Sequence, residues 1–399
     1  MIANHPIETT PFLKEFEAEL NKTLAFWESH ALDNTNAGFI GQLNFKNEKI
    51  EEASKGLILN TRILWSFAAV SNQLQTQQYA ASCNRAYHYL ALFFKDKIDG
   101  ALYWELANNA RPKSLQKNTV GQAYALLALC EYFRFSKKEE VKNWALSLFE
   151  YIEKVGFDAE HNRYKDMLNE KQTKDVETTQ ITRSLGTHLH VLEAYTTLLK
   201  FYKNEHLEKQ VRLLIEVLLN DFINAKKHCE TAIDLDGASF SESVFFGYNV
   251  EVPWMLFDAA EVLSDPKLIR RTKENLVSMV DVFLTEAIDK NGAVSYGKCL
   301  QTQTVDTDLH WWTQIEALIA LRYAYHFTKN EAYAISFHRI WTFIKMHFVD
   351  EAHGEWFARI GNDTVRYEDD KIAMWKSPYH ISRMCLKMMA FENAKEALM

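Results

Sequence analysis

Apolar residues recur at three- and four-residue spacing along most of this chain, and strict alternation is rare. In 61–76, TRILWSFAAVSNQLQT, that period predicts an amphipathic helix. The same period governs 122–135 (QAYALLALCEYFRF), 189–202 (LHVLEAYTTLLKFY), 254–264 (WMLFDAAEVLS) and 314–327 (QIEALIALRYAYHF). Only six prolines interrupt 399 residues, so the helices can run long. A parallel sheet would need β-branched runs ahead of the helices, and none is present.

Between the helices a short polar motif returns. It reads DNTNAGFIGQL from Asp33, DKIDGALYWEL from Asp96 and DAEHNRYKDML from Asp158. It continues as DFINAKKHCE from Asp221, DKNGAVSYGK from Asp289 and DEAHGEWFARI from Asp350, the fourth copy being degenerate. The spacings are 63, 62, 63, 68 and 61 residues. Such a period holds two helices and a hairpin-like loop, and six units predict an all-α fold, an (α/α)6 barrel of six helix-pair repeats. An open solenoid is the competing architecture, but the terminal units are no more polar than the middle ones. Residues 1–399 are expected to form one catalytic domain. In a closed barrel, functional side chains should lie near the ends of inner helices, about one cluster per repeat.

Five clusters meet that description: NTRILW (60–65), THLHVLEAY (187–195), FGYNVE (246–251), DTDLHWWTQIE (306–316) and MWKSPYH (374–380). Arg62 stands in an apolar run, where a fixed guanidinium can donate to a sugar or enediolate oxygen or merely cap the surface. His188 and His190 point about 200° apart on a helix, so they are not a same-face metal pair. One is expected in a cleft and the other to be structural. His190 shares a face with Glu193, and His188 is kept as a substrate-binding candidate. Asp306, Asp308 and His310 precede Trp311 and Trp312, which suits a sugar-stacking platform as well as a capped helix with core tryptophans. Trp375, Lys376, Tyr379 and His380 precede the last helix, where a neutral imidazole is favoured.

Composition narrows the function. A net charge of −8 with scattered Lys and Arg disfavours a nucleic-acid partner. No apolar run reaches the roughly 18 residues of a membrane helix. The N-terminus, MIANHPIETTPFLKEF, lacks a signal-peptide pattern, so a cytoplasmic location is expected. Five dispersed cysteines show neither a disulfide framework nor zinc spacing, and no metal site is predicted. Aromatics reach 13%, which tilts slightly toward sugar-binding faces.

LNTRILWSFAA, THLHVLEAY, DTDLHWWTQIEAL, GEWFARI and WKSPYH, in that order, resemble the N-acylglucosamine 2-epimerase superfamily along nearly the whole chain. The resemblance is closest to cellobiose 2-epimerases, with a mannose 2-epimerase-like variant also compatible. It implies an (α/α)6 barrel, no metal or organic cofactor, and a reducing mono- or disaccharide as partner. It also implies proton transfer at C2 between glucose- and mannose-type ends. His380 would be one acid–base group, with His190 and Arg62 assisting. The resemblance gives Trp311 and Trp375 as sugar contacts, and Trp312, Glu251, Asp308 and Glu316 are expected beside them as substrate-binding residues. A monomer and a homodimer both fit.

The match departs from the family at instructive positions. FGYNVE aligns on FGHDIE, so Tyr248 stands where a second histidine is expected, and Asn249 replaces the acid beside it. Gly186 replaces the Asn of NTHLH, and Val120 stands where a Tyr is common. Three readings follow. Tyr248 serves as the partner with a depressed pKa, or His380 works alone as in aldose–ketose isomerisation, or the protein binds sugar with little catalysis. A carboxylate-pair hydrolase using Asp306, Asp308, Glu251 or Glu316 is a further alternative.

Overall fold

The computed structural model describes residues 10–168 and 182–396. Residues 1–9, the start of the stretch read for a targeting signal, lie outside the described residues. An outer helix α1 (Thr10–His30) leads to an inner helix α2 (Leu57–Gln73). The pairing repeats with α3 (Ala80–Tyr89) and α4 (Thr119–Ser136), then α5 (Glu139–Tyr151) and α6 (Leu185–Leu199). It continues with α7 (Glu205–Val217) and α8 (Phe246–Leu263), then α9 (Pro266–Glu286) and α10 (Trp311–Thr328). The last pair is α11 (Glu331–His347) and α12 (Tyr379–Glu396).

Each inner helix packs on the next, and α12 packs on both α10 and α2, which closes the ring. The fold is an (α/α)6 barrel. A solenoid would have left α2 and α12 apart. Outer helices have one apolar face: α7 buries Leu207, Val211, Leu214 and Ile215 while Glu205 and Lys209 face water. Inner helices are enclosed nearly all round, and every residue from Leu57 to Ser71 is buried. No described helix is long and apolar enough to cross a membrane.

The recurring polar motif forms the turn between an outer helix and the next inner one. The Oδ1 atoms of Asp33, Asp96, Asp289 and Asp350 accept from backbone N–H groups two or more residues on. Basic residues arriving before the next inner helix bind several of these acids. The buried pairs are Lys55–Asp33, Lys117–Asp96 and Lys371–Asp350, at 2.7–2.8 Å, and Arg183 meets Asp158 at 3.0 Å. In the fourth repeat Asn224, not Asp221, holds the turn, accepting from Lys226 and His228 N–H. Asp221 instead binds Arg163. The degenerate copy was therefore read three residues out of frame, because an amide does the same capping work as the carboxylate.

Candidate active site

Two ranks of side chains at the starts of the inner helices organise the barrel mouth. In α4, α6, α8 and α10 the fourth residue of the helix ties down the preceding hairpin. Gln122 brackets Leu102, accepting from its N–H and donating to its carbonyl, and Gln314 does the same to Val294. Asn249 accepts from Cys229 N–H, and His188 Nε2 accepts from Tyr164 N–H. The sixth residue points into the barrel: Arg62, Tyr124, His190, Glu251 and Glu316 on α2, α4, α6, α8 and α10. From α12 come His380 and, nearly one turn on, Arg383.

These groups form one buried network. Arg62 donates to the Tyr124 hydroxyl, which meets His190 Nε2 at 2.9 Å. His190 Nδ1 lies 3.1 Å from Glu193. Glu193 also accepts from the Tyr379 hydroxyl and, at 3.0 Å, from Arg383. Arg383 donates to Glu251 at 2.5 Å and to Glu316 at 2.7 Å. Glu316 accepts from Trp254 at 3.1 Å and faces His380 Nδ1 at 2.7 Å. The carboxylate fixes the tautomer, with Nδ1–H donating to Glu316 and Nε2 left as the basic nitrogen.

Charge placement sets the protonation states. Burial, with Arg62, Arg383 and His190 nearby, pushes the His380 imidazole well below the ordinary 6.5, so it is neutral. Burial raises the Glu193 carboxyl, but Arg383, His190 and Tyr379 outweigh it and bring it down to about 2. Glu251 is raised by burial and by Glu316 beside it. Glu251, Glu316 and His380 offer ligand-type atoms within 4.8 Å of one another, yet the Arg383 guanidinium already supplies the positive charge there. Arg62 is the exception in this balance. It is buried against Tyr124, Tyr379 and Trp375, donates to the Trp375 carbonyl, and forms no ion pair with a described carboxylate. A buried guanidinium without a counter-charge is costly unless a ligand supplies one.

A cavity of about 340 Å3 opens above the network, within the range of small-ligand pockets. Its lining includes Arg62, His190, His380, Tyr248 and Glu251, with Trp311, Trp312 and half-exposed Trp375 as apolar walls. Gly247 is required here, since a Cβ would fall 2.2 Å from the Trp312 ring. Tyr248 and Gly186 face each other: a Cβ at Gly186 would stand 3.6 Å from the Tyr248 hydroxyl. Two of the departures from the family pattern are thus one structural change. The tyrosine uses space that a larger residue at 186 would restrict.

Three expectations are corrected. His188 is not at the cavity. It is fully buried, with Nδ1–H on Ser184 C=O and Nε2 on Tyr164 N–H, and burial lowers it to about 4. Asp308 is held by Arg359 at 3.2 Å and by the Tyr367 hydroxyl, away from the lining. Tyr248 has no depressed pKa; burial and Glu251 push its phenol up, which leaves it a donor and not a base. Glu316 is kept, but behind His380 and fully buried. Sequence reasoning overlooked Tyr124, Tyr296 and Arg383, and placed Glu193 on the face of His190 without giving it a role. For Tyr124 a signal existed: it is the sixth helical residue, like Arg62 and His190.

A neutral base beside an uncompensated cation places the chain in a class, the (α/α)6 barrels whose mouth is arranged for proton transfer and not for hydrolysis. Glu251 and Glu316 are both spent on Arg383, so neither is free to attack or protonate a glycosidic bond. Comparison with known proteins narrows the class. The N-acylglucosamine 2-epimerase (GlcNAc 2-epimerase) family model matches residues 38–384, and the chain belongs to that family. Cellobiose 2-epimerase of Bacteroides fragilis is 32% identical over 386 residues, covering 94% of this chain and 98% of that protein. The structure of cellobiose 2-epimerase from Bacillus thermoamylovorans matches with a TM-score of 0.89 at 28% identity, over 96% of this chain and all of that one. D-mannose isomerase of Marinomonas mediterranea is 21% identical over 397 residues, covering 94% of this chain and 96% of that protein.

Proposed function

We propose that the protein is a sugar 2-epimerase that interconverts glucose- and mannose-type reducing ends of a mono- or disaccharide. The observation that carries this reading is the neutral His380 sharing a cavity with the unpaired Arg62. In the open-chain aldose, His380 Nε2 takes the C2 proton and the C1 carbonyl becomes an enediolate oxygen. Arg62 is placed to meet that negative charge, and removing such a donor typically costs about 2.7–4 kcal/mol of transition-state stabilisation. Glu316 holds the imidazole, and Arg383 keeps Glu316 and Glu251 in place. The tryptophans offer flat apolar walls to the pyranose C–H faces. A cytoplasmic monomer or homodimer belongs to the same reading.

A second reading is favoured by Tyr248. A phenol that cannot act as base leaves His380 to move the proton between C2 and C1, which yields a ketose. Proton NMR in D2O with mannose, glucose and cellobiose separates the two. Deuterium at C2 of the epimeric sugar is expected, and its loss in His380→Ala. Ketose as the sole product would establish the second reading. C2 exchange persisting in His380→Ala would overturn both.

A further inference from the structure

Epimerisation needs a proton delivered to the face of C2 opposite the one it left and, in the reverse direction, taken from that face, and Tyr248, a donor and not a base, cannot perform the second. Two other histidines line the cavity besides His380. Both ring nitrogens of His190 are engaged, by Tyr124 and Glu193. His310 is different. Its ring lies in the lining, and neither nitrogen makes a hydrogen bond to any described residue. The ring is nonetheless held. It stacks on Tyr296 at a centroid distance of 3.8 Å and an interplanar angle of 21°. Its backbone is paired with Arg359 in a short antiparallel ladder.

His310 also sits on the wall that Tyr248 occupies. Trp312 lies 5.7 Å from Tyr248 and 6.4 Å from Tyr296, the ring under His310. The same indole lies 6.0 Å from His380. The aromatic wall therefore runs from the base at one end to a free imidazole at the other. We propose that His310 is the second acid–base residue of this site, supplying the proton transfer that the histidine missing at position 248 would perform. The inference rests on the epimerase reading.

The step balances as follows. His380 Nε2 takes the C2 proton, the C–H electrons form the C1–C2 double bond, and the carbonyl oxygen gains the negative charge. Burial and Arg359 pull the His310 imidazole below the ordinary 6.5, against Asp306 and Asp308, so its protonated form is the minor one and a strong acid. That form gives its N–H proton to the other face of C2, and the C1 carbonyl re-forms. The two imidazoles end with exchanged protonation states. The reset returns one proton from His380 to the solvent that enters the cavity and takes one from solvent onto the partly buried His310.

The test compares wild type, His310→Asn and the double variant His310→Asn with Tyr248→His, using mannose and glucose in D2O. Three rates are read: C2 deuterium wash-in to the recovered starting sugar, epimer formation and ketose formation. In His310→Asn, epimer formation is expected to fall at least ~100-fold, the scale of a lost acid–base group. Wash-in or ketose formation should persist, since His380 can return a proton to the face it came from. The added histidine at 248 should recover epimer formation, which also shows that the variant is folded. Epimer formation within about threefold of wild type in His310→Asn would overturn the proposal. So would parallel loss of wash-in and epimer without rescue, which would mark His310 as a binding or structural residue. Wild-type protein that exchanges C2 and makes ketose but no epimer would overturn it too. No exchange in wild type with any sugar would sink the epimerase reading itself.

Discussion

At the scale of single residues, the decisive property is the state of His380. Its charged form is disfavoured by burial and by the cations Arg62 and Arg383. A base works only when unprotonated, so activity is lost as pH falls through its pKa, and that pKa is displaced downward. The acid limb of kcat/KM should therefore lie well below the ordinary 6.5. A limb at or above that value would mean that the imidazole is not held neutral by its surroundings. The Tyr248–Gly186 contact yields a second expectation. Gly186→Asn alone should lower activity by crowding the phenol, while the same change with Tyr248→His should be tolerated. A double-mutant cycle with no coupling would show the two positions to be independent. Both residues were legible as departures from a pattern in the sequence. Their mutual contact was not, because 62 residues separate them and only the ring of helices brings them together. For the same reason Arg383 escaped notice, and Glu193 was seen beside His190 without its role as the partner of Arg383. Each reads as an ordinary charged residue on a helix until the barrel closes around it.

At the scale of elements, the repeat uses one position for one task and varies the chemistry. The fourth residue of an inner helix is Gln in α4 and α10, Asn in α8 and His in α6, and each binds the hairpin before it. His188→Gln should therefore preserve the fold, because a side-chain amide can accept from Tyr164 N–H. His188→Ala should cost about 1–3 kcal/mol by leaving a buried donor unpaired. The pH dependence separates the variants further. His188 is held at about 4 in the fold against an ordinary 6.5, so the unfolded chain binds the extra proton between those values. That contribution is intact above 6.5 and is lost as pH falls toward 4. His188→Gln should flatten this decline in chemical denaturation between those pH values, and an unchanged slope would place the sensitivity elsewhere. The helices, their six-fold recurrence and the turn acids of five repeats were readable from periodicity and from the recurring polar motif; the fourth turn, held by Asn224, was not. The lock position was not, because Gln, Asn and His share no letter and are unified only by the bond they make.

At the scale of the whole molecule, closure makes the site and the stability one problem. The proposed base His380 and its neighbour Arg383 belong to α12, while Arg62 belongs to α2, at the other end of the chain. The seam between them is stitched by polar contacts that a solenoid would lack. Trp27 donates to Glu355 at 2.9 Å, and Glu355 also binds buried Lys376, next to the cavity wall Trp375. Gln73 donates to the Leu386 carbonyl at 2.8 Å, and the Trp65 ring packs on Tyr379 at 4.7 Å. An open repeat array can fray from its ends, because each unit touches only its neighbours. A closed ring has no end to fray, so one weakened seam should lower the stability of all six units together. Trp27→Phe removes a hydrogen bond to a buried carboxylate, typically worth about 1.5–3 kcal/mol. Far-UV and near-UV circular dichroism should report a single coincident transition at lower denaturant for this variant. Sugar turnover should disappear along the same curve. Two separated transitions, with the middle repeats surviving the loss of the seam, would mean that the barrel behaves as a solenoid whose ends merely touch. Coincidence would tie the assembly of the site to the closing of the ring, since no half of the chain holds both the proposed base His380 and Arg62, the donor proposed for the enediolate oxygen.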